Sequence, residues 1–245
     1  DSTPRRAART RLAVTAAILL VLIAIGAIVL TMGGGSRRPS ASGRAHASPV
    51  SASATPTADA APQSQGACHT APPSNAIPAG PPRDLTWRSV GAILVPTSAA
   101  EGPTRYTGPV WSCYAHSPMG AALASYGIFA TLASPGWHKV AESEIVPGPG
   151  QQAFIKAGDQ QKYQAPQPGS IAQPVGFTVT SYTPQQATIE TLADDGNSQY
   201  QVTQRTVAWS GGDWKLLVAP DGSTGPDPQI VSSAAGFVLW GGTNG

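Results

Sequence analysis

Hydrophobic and polar positions fall into three regimes along this chain. Residues 12–32 form an unbroken apolar run with no charged residue, from Leu12 through Leu19-Leu20-Val21-Leu22-Ile23 to Met32. At the rise of an α-helix this run reaches roughly 30 Å, the hydrocarbon thickness of a bilayer. It predicts a transmembrane helix. Residues 33–82 then show no hydrophobic period: Gly, Ser, Ala, Pro, Thr and Arg dominate, with no aromatic and only Val50 and Ile77 as large aliphatics. Such a stretch cannot bury enough apolar surface to offset its chain entropy, so a disordered linker is expected. From residue 83 onward patterned apolar positions return, and all six Trp lie here.

Within 83–245 the pattern first predicts a strand. Trp87-Arg88-Ser89-Val90-Gly91-Ala92-Ile93-Leu94-Val95 is rich in β-formers and is stopped by Pro96. A helix is predicted from Pro118 to Ala133, with Ser117 as cap and Pro118 at the first helical position. Pro135 ends it. The helix lacks any charge, so it is expected to be buried on most sides. Gly148 to Lys156 suggests a second, short helix.

The period then changes to two. Val175 to Ser181 alternates, with Val175, Phe177 and Val179 on one face, and Ala187 to Leu192 follows. Asp194-Asp195-Gly196-Asn197 reads as a turn, Tyr200 to Trp209 as a third strand, and Trp209-Ser210-Gly211-Gly212-Asp213-Trp214 as a tight turn into Lys215 to Ala219. Asp227-Pro228 suggests a short helical turn. A helix followed by hairpin-linked strands predicts an α+β domain: an antiparallel curved sheet packed on a buried N-terminal helix.

Charge sharpens the organisation. Residues 1–82 carry seven Arg against Asp1 and Asp59, whereas 83–245 carry eight Lys/Arg against eleven Asp/Glu. The basic residues flank the apolar run and the domain is mildly acidic, which argues against a nucleic-acid binder. Arg5, Arg6, Arg9 and Arg11 precede the run, so residues 1–11 are expected to be a cytoplasmic tail and 83–245 an extracytoplasmic domain of a single-pass cell-membrane protein. A cleaved signal peptide is the alternative; its apolar region would be shorter, and the one Ala-x-Ala site, Ala45-His46-Ala47, stands well beyond the run.

Candidate chemistry is sparse. Cys68 and Cys113 are the two cysteines, and outside the cell they most simply form one disulfide. A zinc site from Cys68-His69 and Cys113-x-x-His116 is the alternative, with poor geometry for one tetrahedron. His116 directly precedes the capped helix. As a catalytic base it would need a nucleophile and an orienting carboxylate; Ser98, Ser112 and Ser117 are available, but no Gly-x-Ser-x-Gly elbow exists. Setting the loop by a backbone hydrogen bond is the plainer role. Glu142 and Glu144, two apart, are expected on one face of a strand; paired carboxylates can do glycosidase chemistry, but the alternation of the preceding Trp137-His138-Lys139-Val140 reads as a solvated strand face. Pro147-Gly148-Pro149-Gly150 lacks the Lys and Ser/Thr of a phosphate loop. Trp209 and Trp214 should meet across their hairpin as packing or as the lining of a ligand cavity.

Two resemblances bear on these residues. Trp87, Val95-Pro96-Thr97-Ser98, Gly102-Pro103, Tyr114-Ala115-His116-Ser117-Pro118-Met119-Gly120-Ala121 and Trp137 resemble a domain of unknown function in single-pass membrane proteins of actinobacteria. That group usually reads Gly-Phe where this chain has Cys113-Tyr114. The later strands, with the Trp-turn-Asp-Trp-Lys hairpin, are similar to the cone-shaped nuclear-transport-factor-like (cystatin-like) fold of type IV secretion and conjugation scaffolds. The resemblance implies a non-enzymatic scaffold with other envelope or secretion proteins as partners, possible self-association and no cofactor. Its candidate functional loop holds Ser98, Tyr114, His116 and Ser117. A small-ligand or lipid-binding module is the second expectation, and an envelope hydrolase using His116 the third.

Overall fold

A computed structural model describes residues 68–165, 172–194 and 199–241. The 12–32 run, the linker up to residue 67 and the Asp195-Gly196-Asn197 part of the turn lie outside the described residues. Among the described residues no helix is long and apolar enough to cross a membrane.

The architecture is α+β, with antiparallel sheets around a buried helix. Strands β1 (Leu85–Val90) and β2 (Ile93–Ser98) form a hairpin. This corrects the single strand expected from Trp87 to Val95. The chain reverses through Gly91-Ala92, because Gly91 adopts φ +58°, a left-handed conformation that suits the first position of a two-residue turn. Trp87 consequently faces Pro96 across the hairpin. A second hairpin, β3 (Arg105–Thr107) with β4 (Val110–Ser112), follows.

Helix α1 (Pro118–Leu132) is the centre of the domain. Ser117, in extended conformation, caps it by accepting a hydrogen bond from the Gly120 amide at 2.9 Å, as its sequence predicts. Thirteen of its fifteen residues are buried. The cause is burial on two sides. Leu123, Ala124 and Ile128 join one apolar cluster with Phe177, Ile189, Trp214 and Leu216 of the main sheet. Tyr126 and Ala130 join a second with Ile93, Val95 and Trp111 of the hairpins.

Helix α2 (Trp137–Glu144) overturns the strand expected there. Trp137 and Val140 are spaced to share a helical face; Trp137 packs against the main cluster, Val140 is buried within it, and the ring of Trp137 covers Gly158. Positions two apart on a helix do not face each other, so Glu142 is exposed while Glu144 is buried. Helix α3 (Pro149–Asp159) is the short helix expected around 148–156.

Strands β5 (Gln173–Thr183), β6 (Gln186–Asp194), β7 (Tyr200–Ser210) and β8 (Asp213–Leu217) make consecutive antiparallel pairs, and β10 (Val238–Leu239) pairs β5. Trp209 and Trp214 stand opposite each other in register, ring centroids 5.3 Å apart. Asp227-Pro228 does not start a helical turn; β9 (Gln229–Val231) follows directly and pairs Tyr200–Val202. Strand β8 pairs only Thr206–Ser210 of β7, which leaves Tyr200–Val202 to β9.

Candidate functional site

The loop from Ser98 to Ser117 is held by its own polar side chains. Ser98 Oγ donates to Asp84 Oδ1 at 2.7 Å and accepts from the amides of Ala100 and Glu101 at 3.2 and 2.9 Å. The second Asp84 oxygen accepts from the Ala100 amide. Partial burial opposes ionisation of Asp84, but these hydrogen bonds outweigh it and hold the carboxyl below its ordinary range. Ser117 Oγ, already the helix cap, donates to Glu101 Oε2 at 2.5 Å. Between them the backbone passes so close to Cys113 and Tyr114 that a Cβ on Gly102 would lie 2.7 Å from main-chain atoms; at φ +103° only glycine fits without strain.

Cys113 is the one non-glycine residue with positive φ (68°) among the described residues. Two constraints keep it there. Its sulfur is bonded to Cys68, and its amide donates to Asp213 Oδ2 at 2.5 Å. The disulfide consumes both thiols, so the zinc alternative loses its sulfur ligands. Among the described residues no three His, Cys, Asp or Glu side chains converge as metal ligands. Residues 68–82 run without regular structure against the loop: Ala71 N donates to Ala100 O, Ser74 N to His116 O, and Tyr182 Oη to Ser74 O.

Tyr114 is not a surface residue. It is 1% exposed, lies along α1 over Gly127, and its hydroxyl has no hydrogen-bond partner among the described residues. Burial, reinforced by the charges of Asp213 and Glu144, drives its pKa far up. The ring of His116 stacks on Trp209 at 3.9 Å with 11° between planes, and Trp214 meets it edge-on. Its Nε2 donates to the carbonyl of Pro184, 2.5 Å away, since a carbonyl can only accept. His116 therefore ties the loop to the β5–β6 turn rather than to its own helix. The serines expected as partners are elsewhere: Ser98 is bound to Asp84 and Ser117 to Glu101.

A model of the family "Domain of unknown function (DUF8175)" matches residues 47–239. The chain belongs to this family. No curated protein and no solved structure matches it. In this DUF8175 domain Ser98 and Ser117 are hydrogen-bonded to Asp84 and Glu101, and the half-buried surface beside them is aromatic: His116, Trp209 and Tyr182.

Several contributors were invisible as sites in sequence. Asp213 accepts from the amides of Cys113, Tyr114 and Trp214, while Trp214 Nε1 donates to Ala115 O. Burial pushes the Asp213 pKa up against the pull of those amides. Glu144 stands nearby, raised to about 7 by burial and by the charge of Asp213, with Oε2 unpartnered among the described residues. The Trp-Ser-Gly-Gly-Asp-Trp turn was the only sequence signal for Asp213.

Proposed function

We propose that this chain is a single-pass membrane protein whose residues 83–245 form an extracytoplasmic domain that works by protein–protein assembly in the cell envelope, with conjugation or secretion machinery of an actinobacterium as the setting. The observation that carries this reading is the fate of the polar loop. Its hydroxyls and carboxylates bind the fold itself, and what faces outward is the aromatic patch of His116, Trp209 and Tyr182 beside the covalently pinned strap 68–82. Half-exposed Trp and Tyr on a rigid support are the side chains that anchor protein interfaces. The disulfide fits an oxidising compartment. The helix-and-sheet arrangement is compatible with the cone-shaped nuclear-transport-factor-like scaffolds, whose layout of tail, membrane helix, linker and small domain is the one expected here from the sequence.

The test combines topology with surface. Protease added to intact protoplasts should remove the domain. Trp209→Ser should abolish assembly-dependent function, read as complementation of a deletion, at normal protein level, whereas His116→Gln, which removes imidazole acid–base chemistry, should leave much of it. A protected domain, or a Trp209→Ser protein that accumulates normally and keeps full function, overturns the reading.

A further inference from the structure

A cavity of about 250 Å³ is lined by residues of the β1–β2 hairpin and of the segment that leads into β3. Thr86 and Arg88 come from β1, Thr97 from β2 opposite Thr86, and Thr104 and Tyr106 from the β3 side. Its donors and acceptors are unequally spent. Arg88 lies over the ring of Tyr106, with its central carbon 4.3 Å from the centroid, and it makes no ion pair with another described residue. Tyr106 is itself fixed: its hydroxyl donates to Pro103 O at 2.8 Å, and its ring meets Trp111 edge-on at 5.2 Å. A guanidinium stacked on a ring keeps its edge free, with N–H donors spaced to match a carboxylate. The threonines offer the reverse. The Thr86 and Thr97 hydroxyls are 2.9 Å apart, and each also reaches the other residue's carbonyl, at 3.4 and 3.3 Å. Thr104 Oγ1 donates to Cys113 O at 3.4 Å. Their protons are engaged within the fold, while oxygen lone pairs remain. A ligand group that meets the threonines must therefore donate, and one that meets Arg88 must accept.

We propose that this cavity binds a small hydroxylated monocarboxylate of the sugar-acid class, its carboxylate on the edge of Arg88 and its hydroxyls donating to Thr86, Thr97 and Thr104. The volume falls just below the roughly 300–1,000 Å³ of pockets for drug-sized ligands, which suits a single sugar ring. Ser98, a further lining residue, holds the ionised carboxylate of Asp84, so a second negative charge on the ligand meets repulsion. That favours a monocarboxylate over a phosphate dianion. The walls serve as they stand, each held by contacts within the fold. The cavity shares no residue with the aromatic patch of His116, Trp209 and Tyr182, so the proposal does not depend on the assembly reading.

The test titrates D-glucuronate onto the full chain in non-ionic detergent, followed by saturation-transfer NMR at constant ionic strength. Saturable binding is expected. D-glucose keeps the hydroxyls without the charge, and acetate keeps the charge without the hydroxyls; each should bind at least about tenfold more weakly. Inorganic phosphate at equal concentration should not displace glucuronate. Arg88→Lys retains the charge but loses the planar fork, and should weaken glucuronate about tenfold. Thr86→Val keeps the shape and should weaken it about fivefold, the loss of one neutral hydrogen bond. Both positions are exposed, so both variants should fold, which an unchanged urea midpoint checks. Should either fail to fold, the comparison of ligands on the wild-type chain still decides. No saturable binding of glucuronate, glucose or acetate binding as tightly, displacement by phosphate, or an unchanged affinity in either folded variant would each overturn the proposal.

Discussion

The carboxylate of Asp213 receives the main-chain amide of Cys113 from a hundred residues upstream, at 2.5 Å. It takes the next amide, that of Tyr114, at 2.9 Å with its other oxygen. One side chain at the start of β8 thereby fixes the left-handed turn that carries the disulfide and leads into α1.

Removing that clamp should be expensive. Asp213→Ala leaves the Cys113, Tyr114 and Trp214 amides without their acceptor in a buried place, and hydrogen bonds to charged groups contribute about 1.5–3 kcal/mol each. Their losses are not additive. Urea unfolding should show a loss of about 3 kcal/mol or more, and a variant as stable as wild type would refute the clamp.

Stability should fall as pH rises from about 4.5 to about 7. Glu144 is raised from 4.5 to about 7 by burial and by Asp213, with Lys215 opposing. A raised folded-state pKa means the protonated form is the one the fold favours. Its contribution is complete below about 4.5 and is lost as pH climbs to about 7. The loss amounts to about 3 kcal/mol at most. Urea midpoints at pH 5 and pH 8 should differ in that sense, and Glu144→Gln should shrink the difference. A midpoint that rises with pH would contradict it.

Cys68→Ser should destabilise the domain by about 4 kcal/mol in the chain-entropy model, because the disulfide closes a loop with a sequence separation of 45. The same change should make residues 68–82 sensitive to protease, since three hydrogen bonds to the body then hold the strap alone. Equal cleavage in the presence and absence of reductant would argue that the strap is fixed by those bonds.

Tyr114 and Gly127 should be coupled. A Cβ at Gly127 would lie 2.5 Å from the Tyr114 hydroxyl, so Gly127→Ala should cost about 1–3 kcal/mol as overpacking. Tyr114→Phe removes a buried hydroxyl that has no partner, and should be neutral or stabilising. In the double variant most of the Gly127→Ala loss should be recovered. Additive losses in thermal or urea unfolding would place the clash elsewhere.

Local signals determined a good part of this molecule. Ser117-Pro118 starts α1 and Pro135 ends it because capping and the missing proline N–H act within one turn. The alternation of β5, β6 and β7 was legible because each strand keeps one face on the core. The pairing of Cys68 with Cys113 followed from there being two thiols. Tertiary packing decided the rest. Trp87 to Val95 carries enough β-forming residues for one strand, and only the covering of Tyr126 and Ala130 from a second side calls for a hairpin. Trp137 to Glu144 alternates as well as it spirals; burial of Trp137 and Val140 against α1 and α3 selects the helix and turns Glu144 inward. Ser98, Tyr114, His116 and Ser117 are close in sequence, but what each does is set by Asp84, Gly127, Pro184 and Glu101. Arg205 and Asp213 are ordinary charged positions until the chain closes around them. Their surroundings come from distant segments, and the hydration each group loses exists only in the folded state.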